Sequence, residues 1–305
     1  MKHLGISGGG TKICGLFGAA EVIMKEKNFM PDVISGISAG AILSLPLALG
    51  KWDVVKKLVL KFTLDDFFSS SPITSRGGIS PRGALRALFG KPYLGRQDNL
   101  IKKLKSIVSK EEFENYKTNA SLPACIIGAV DFKSGSRKYI NLKTVTYEEF
   151  PVLVNASSSL PVFTNGIEMQ LGGKPVYLYD GGVRDHIATF WILGDEDSEF
   201  KDKIKETVSI YSRPEKFVTL PDDFDDKSIL TILQRYIDIT NMEVSKNDEY
   251  QEDKFCRDNN IIQHKCFLPR VMDSVYDTNP EHIKAMYEAG RVEAGKLNIG
   301  GGAIA

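Results

Sequence analysis

Two short apolar runs in the first 50 residues each end on a glycine-bearing turn, and each turn opens onto a stretch with helical spacing. His3 to Ser7 stops at Gly8-Gly9-Gly10, and Asp32 to Ile37 stops at Ser38, which stands between Gly36 and Gly40 in the run G-I-S-A-G. Between them, Cys14 to Lys27 places Leu16, Ala19, Ala20, Ile23 and Met24 on one helical face. Ala39 to Leu49, rich in Ala and Leu, reads as a second helix. Ser38 follows the glycine run by about 30 residues, the length of one βαβ crossover. Such a unit sets its two strands parallel, commonly adjacent at about 4.8 Å. The glycine loop and the serine turn then leave the same end of one sheet, where open α/β sheets carry their sites.

Downstream, Val54 to Phe67, Arg82 to Phe89, Leu100 to Val108 and Glu148 to Ser157 read as helices. Ala124 to Phe132 and Arg137 to Leu142 read as strands joined through the hairpin signal Lys133-Ser134-Gly135. Val176 to Tyr179 is a strand stopping at Asp180-Gly181-Gly182, and Thr207 to Tyr211 reads as the last buried strand. Ile229 to Val244 and His282 to Leu297 are long helical patterns. With 305 residues, no internal repeat and no linker-like boundary, a single domain over 1–305 is expected. Its parts are a motif-bearing core, 1–215, a helical C-terminal part, 216–297, and a frayed tail, 298–305.

Composition narrows the partners. Lys+Arg and Asp+Glu are equal at 39 each, so no overall field draws the chain to nucleic acid or acidic lipid, and membrane attraction must be local. The four cysteines form no C-x-x-C pair, which argues against a disulfide framework or zinc spacing and for a reducing compartment. MKHLGISGGG lacks the apolar core of a secretory signal, and no stretch reaches the roughly 18 uninterrupted apolar residues of a membrane span. A cytoplasmic protein is expected, with no metal and no cofactor.

Taken alone, the serine of G-I-S-A-G suits a linker as well as a nucleophile. A nucleophile on a sharp strand-to-helix turn needs small neighbours, because the turn brings the flanking backbone close. The helix behind it also aims its N-terminal N–H groups at the site. Gly8-Gly9-Gly10-Thr11-Lys12 can be a flexible loop, a phosphate cradle or an oxyanion hole. A Walker A loop needs Gly-Lys-Ser/Thr, whereas Thr11 precedes Lys12, and the dinucleotide fingerprint needs a glycine where Ile13 stands. The oxyanion hole fits better, because the loop should lie beside Ser38. Lys12 then adds positive charge or binds lipid phosphate; otherwise it caps a solvated helix end. Asp180 is either the start of an Asp-Gly turn or a general base that accepts the Ser38 proton.

A Ser-His-Asp triad would draw on His3, His186, His264 or His282. His264 and His282 follow Asp180 in the chain order that α/β-hydrolases use, but neither sits in a glycine-flanked strand-end loop. Those folds also place several strands before the serine, and here there is room for only two. A two-member Ser38–Asp180 site is the better reading.

At this point the chain resembles the patatin-like phospholipases. The resemblance rests on SGGGTK (Ser7 to Lys12), GISAG (Gly36 to Gly40), N-A-S-S-S-L-P-V-F (Asn155 to Phe163) and Asp180-Gly181-Gly182, in the family's order across residues 1–190. It implies a three-layer α/β/α fold with a central, mostly parallel sheet. It also implies Ser38 as nucleophile, Asp180 as base, and an oxyanion hole from Gly8, Gly9 and Gly10. Three positions in two blocks depart from the family's pattern. Ile13 replaces the last glycine of the oxyanion block, and His186 and Ala188 stand where the family often has Asn and Pro. His186 is read as ordering the loop that carries Asp180, with a share in proton transfer as the weaker alternative.

The implied activity is lipid acyl hydrolysis of phospholipase A or lysophospholipase type. Its alternatives are a neutral-lipid or other carboxylester hydrolase or acyltransferase, and a non-catalytic lipid-binding scaffold. Ser69 to Gly95, with Arg76, Arg82, Arg86 and Lys91 (and Arg96 just beyond) among Leu85, Leu88, Phe89 and Tyr93, suits either a lid on a transient membrane surface or an ordinary covering helix. The Ile229 to Val244 helix is apolar enough to pack on a core or a second subunit. Self-assembly and gating by an effector therefore both stay open.

Overall fold

The computed structural model describes residues 1–74, 78–216, 219, 229–272, 274 and 276–299. Tail residues 300–305 and Arg76 of the expected lid lie outside the described residues, as do the side chains of Ile229 and Leu230. Among the described residues ten strands are formed: β1 (Lys2–Ile6), β2 (Val33–Ile37), β3 (Tyr93–Gly95), β4 (Ala124–Asp131), β5 (Ser136–Asn141), β6 (Val162–Thr164), β7 (Ile167–Leu171), β8 (Lys174–Asp180), β9 (Glu206–Tyr211) and β10 (Ile262–Phe267). Eight make one sheet in the order β10-β9-β1-β2-β4-β8-β7, with β5 also on β4, while β3 and β6 pair separately. The run from β10 to β4 is parallel.

The first crossover forms as its spacing predicts. β1 and β2 lie side by side and parallel, with Ile6 opposite Gly36. Every residue of β2 is buried, as expected for a strand covered on both faces. Ile34 and Ile127 point into the larger apolar cluster, whereas Val33 and Ile126 point into a smaller one with Ile192, Leu193 and Phe200. The sheet is therefore the middle layer of three.

Register explains how the distant Asp180 reaches Ser38. β5 occupies one edge of β4 from Ile126 to Asp131. Both β2 and β8 must then use the other edge. β2 runs along it to Ile37, opposite Gly128, and β8 runs the opposite way to Asp180, opposite Ala129. Two strands thus meet head-on above consecutive residues of β4. The residue that follows β2 is Ser38, and the residue that ends β8 is Asp180.

Several sequence expectations are corrected. Cys14 to Lys27 does not bury a single face. All nine residues of the helix Ile13–Glu21 are buried, because the sheet covers one side and the helix Pro280–Gly295 the other. Val54 to Phe67 is interrupted: a helix Trp52–Leu60 ends, and a short turn Leu64–Asp66 restarts with a Thr63–Asp66 capping box. Thr207 to Tyr211 is not the last strand, since β10 adds beside it. The part-exposed, polar alternation of β10 carries little strand signal on its own.

The helix beginning at Ile229 runs to Asp258, well past Val244. Its inward stripe beyond Val244 is Ser245, Asp248, Glu252 and Cys256, all buried. Spacings of three and four residues put them on one helical face. Because that face is polar, hydropathy periodicity could not reveal it. Its first turns do not serve as plain core either: Leu233, Ile237 and Met242 line the cavity described next, while Ile232, Tyr236 and Ile239 are exposed.

Candidate active site

Ser38 stands where β2 becomes the helix Ala39–Ala48. Its backbone is strained, with φ 52° and ψ −114°, a region that side chains other than glycine rarely occupy. Neighbouring groups hold it there. The Ser38 N–H donates to Ser157 Oγ at 3.1 Å, and Ser157 Oγ donates to the Gly128 carbonyl at 2.6 Å. The turn also requires bare backbone on both sides. A Cβ on Gly36 would stand 2.3 Å from the Gly40 carbonyl, and one on Gly40 would stand 2.2 Å from the Ile6 carbonyl oxygen. Strand, turn and helix close on one another with no room for a side chain.

Asp180 is almost wholly buried, at 1% exposure. Its carboxyl accepts the Gly182 N–H at 2.7 Å, and the Ser38 hydroxyl lies near enough to favour its charged form. Its own N–H donates to the Ser159 carbonyl at 2.9 Å. Burial dominates and pushes the carboxyl up to about 7, against the pull of those two groups. A Cβ on Gly181 would meet the Gly128 carbonyl oxygen at 2.6 Å, so this glycine lets the Asp180 loop sit down on β4.

The glycine loop lies against Ser38: a Cβ on Gly8 would stand 3.4 Å from the Ser38 Cβ. One expected donor is lost. The Gly8 N–H already donates to the His186 carbonyl at 3.0 Å, because that bond ties the glycine loop to the segment after Asp180. Gly9 and Gly10 remain, their N–H groups having no acceptor among the described residues, and Gly10 turns the chain at φ 55°. Lys12 is half-buried and lines the same cavity as Ser38, so it does not cap a solvated helix end.

His186 lies inside this assembly and is neutral. Burial, helped by the charges of Lys12 and Arg213, pushes its imidazole down to about 3. It ties the loop down through its backbone: the carbonyl takes Gly8, and its N–H donates to Asp248 Oδ2 at 2.6 Å. The other histidines are engaged elsewhere. His3 bridges Thr207 and Ser35, His264 faces Glu206 at 3.3 Å, and His282 faces Asp277 at 2.7 Å.

Two residues escaped the sequence reading. Asp248 fixes the His186 and Ile187 N–H groups, and buried Arg213 bonds Ser245 Oγ at 2.7 Å and pairs with Glu249. Each sits in an unremarkable polar context, and only the packing of the long helix brings them in. Around Ser38 and Asp180 opens a cavity of about 410 Å³. Ile42, Phe62, Phe67, Phe68, Leu160 and Phe163 make its apolar wall, with Lys12, Arg213, Arg235 and Arg270 also on the lining. The N-A-S-S-S-L-P-V-F block thereby acquires physical content. It supplies the pin for Ser38 (Ser157), the acceptor for Asp180 (Ser159) and part of the wall.

Fold and site together define a class: three-layer α/β proteins with a strained serine and a buried aspartate at meeting strand ends, over an apolar cavity. Within it, the chain belongs to the patatin-like phospholipase family, whose model matches residues 4–190. Membership supports lipid acyl hydrolysis in general terms. No curated protein sequence matches the chain. Among solved structures it is similar to VipD from Legionella pneumophila, at 13% identity and a TM-score of 0.48, over 96% of this chain and 65% of that one. The chain thus spans 65% of the length of that protein. No described helix is long and apolar enough to cross a membrane.

Proposed function

We propose that the chain hydrolyses fatty-acyl esters of glycerophospholipids or lysophospholipids through a Ser38–Asp180 dyad and an acyl-enzyme. The observation that carries this reading is the strained Ser38 and the buried Asp180 carboxyl at meeting strand ends, both lining one apolar-walled cavity. Asp180 takes the Ser38 proton as Oγ attacks the ester carbonyl, and the Gly9 and Gly10 N–H groups receive the oxyanion. One such donor typically contributes about 3–4 kcal/mol in the transition state. The proton then passes from Asp180 to the departing alcohol, and water activated by Asp180 releases the fatty acid. A base whose pKa lies near 7 suits this cycle, since it must both take and return a proton at neutral pH.

Labelling with a fluorophosphonate probe tests the assignment. Wild type should react and Ser38→Ala should not; labelling that survives the substitution overturns Ser38 as nucleophile. Mass spectrometry of products from mixed phospholipids then reads the head-group and positional preference.

Access from a membrane surface fits the segment beside the cavity. The helix Pro81–Leu88 starts on a Ser80 cap and ends with Leu85, Leu88 and Phe89 at 54%, 83% and 75% exposure. Spacings of three and four residues put all three on one side. Phe62, Leu64, Phe67, Phe68 and Gln97, just outside this segment in the chain, line the cavity. Replacing Leu88 and Phe89 by Ser is expected to lower activity on phospholipid vesicles roughly tenfold while sparing a short soluble ester. Equal losses on both substrates would remove the membrane-contact role.

A further inference from the structure

Among the described residues, three buried side-chain polar atoms have no hydrogen-bond partner: Asn155 Oδ1, His186 Nδ1 and Tyr276 Oη. Buried polar groups are nearly always paired, so an unpaired one marks a place where a water or ligand completes the bonding. Two of the three, His186 and Tyr276, line the cavity that holds Ser38. Their situations differ. His186 already serves through its backbone, tying the glycine loop to Asp248. Among the described residues the Tyr276 side chain makes only ring contacts, with Phe68 at 6.2 Å and Phe163 at 5.4 Å between centroids, and both rings are cavity wall. Those contacts fix the phenol axis and leave its hydroxyl unanswered. Burial and the Asp180 charge also raise the phenol far above its ordinary pKa, so it stays a donor at any working pH.

We infer that Tyr276 is a further catalytic residue, whose Oη donates a hydrogen bond to the alcohol oxygen of the scissile ester. The inference rests on the Ser38–Asp180 reading. In that reading the carbonyl oxygen is served by Gly9 and Gly10, but the other ester oxygen has no fixed donor. When the tetrahedral intermediate collapses, the carbon–oxygen bond breaks and its electron pair goes to the alcohol oxygen. Asp180 delivers the proton it took from Ser38, and Tyr276 keeps its own. Its hydrogen bond eases the negative charge that builds before the proton arrives, where a preplaced donor acts most strongly.

The choice of leaving group separates this role from packing. Tyr276→Phe keeps the ring and removes only the hydroxyl. Wild type and variant are compared by kcat/KM, which reports acylation, on a glyceryl ester and a p-nitrophenyl ester of the same acyl chain. p-Nitrophenolate departs without a proton and needs no donor. The expected result is a roughly tenfold loss on the glyceryl ester and less than about a twofold change on the p-nitrophenyl ester. Labelling by fluorophosphonate, whose fluoride leaves unaided, should be unchanged and confirms a folded site. Equal losses on the two esters, or no loss on the glyceryl ester, overturn the inference. Activity that persists in Ser38→Ala overturns the underlying dyad instead. Wild type inactive on both esters overturns both.

Discussion

Asp180→Asn is expected to lower kcat by about four orders of magnitude, the scale seen when the aspartate of a serine-hydrolase triad is removed, since here the aspartate is itself the base. Asn keeps the shape and can still bond Ser38, but it cannot take a proton. The same substitution should stabilise the fold. The Asp180 pKa is raised from 3.8 to about 7. A group raised on folding contributes its full stability below its unfolded value, and that stability is lost as pH rises to the folded value. Asn carries no such penalty, so its advantage grows between pH ~4 and ~7 and is constant above. It reaches a few kcal/mol at most, since each tenfold change in proton affinity corresponds to about 1.4 kcal/mol. Melting curves at pH 5 and pH 8 measure it: the gap in Tm between variant and wild type should be wider at pH 8. A gap that does not widen would refute the elevated carboxyl. In wild type, kcat/KM should climb tenfold per pH unit below about 7 and level off above it, because only the ionised carboxylate is a base. A kcat loss under tenfold in Asp180→Asn would remove Asp180 from that role.

Gly40→Ala should act through the scaffold. The added methyl would stand 2.2 Å from the Ile6 carbonyl oxygen and 2.8 Å from its carbon, both backbone atoms of the central strand β1. Neither can swing aside as a side chain would, so the helix Ala39–Ala48 must lift from the sheet. Overpacking of this kind costs about 3 kcal/mol, a fall in Tm of roughly 5–10 °C for a domain of this size. Because Ser38 rides on that junction, activity should fall roughly 100-fold as well, the usual penalty for a shift of about 1 Å at a reacting atom. Gly295→Ala provides the control, since nothing lies within 4 Å of its added Cβ. A Gly40→Ala protein that melts with the control and keeps full activity would contradict the close approach of strand and helix.

The legible parts of this protein were local. The glycine run, the serine turn and the Asp-Gly-Gly stop each combine an apolar strand with small residues at its end, and the about 30-residue spacing of the first two already dictates one βαβ unit. The polar half of the long helix was not legible. Ser245, Asp248, Glu252 and Cys256 share a buried face, yet each looks like surface until Arg213, the His186 loop and Glu252's partners Ser209 and Tyr211 are brought against it. Strand β10 was hidden for a related reason: an edge strand gains its hydrogen bonds from a neighbour, here β9, more than from its own pattern.

By itself, the sequence determined the strand-turn-helix unit, the bare backbone at Gly36 and Gly40, and the candidates Ser38 and Asp180. It also determined the resemblance that residues 4–190 bear out as family membership. Only the tertiary structure decided how those candidates meet. Ser38 and Asp180 lie 142 positions apart in the chain (180 − 38). They are joined because β2 and β8 share one edge of β4 from opposite directions, ending over Gly128 and Ala129. It decided, too, that Gly8 binds His186 while Gly9 and Gly10 keep their donors, and that Tyr276 enters the cavity. Local sequence sets turn chemistry through φ, ψ and side-chain volume. Register between distant strands is set by pairing and burial, which no local stretch of the chain contains.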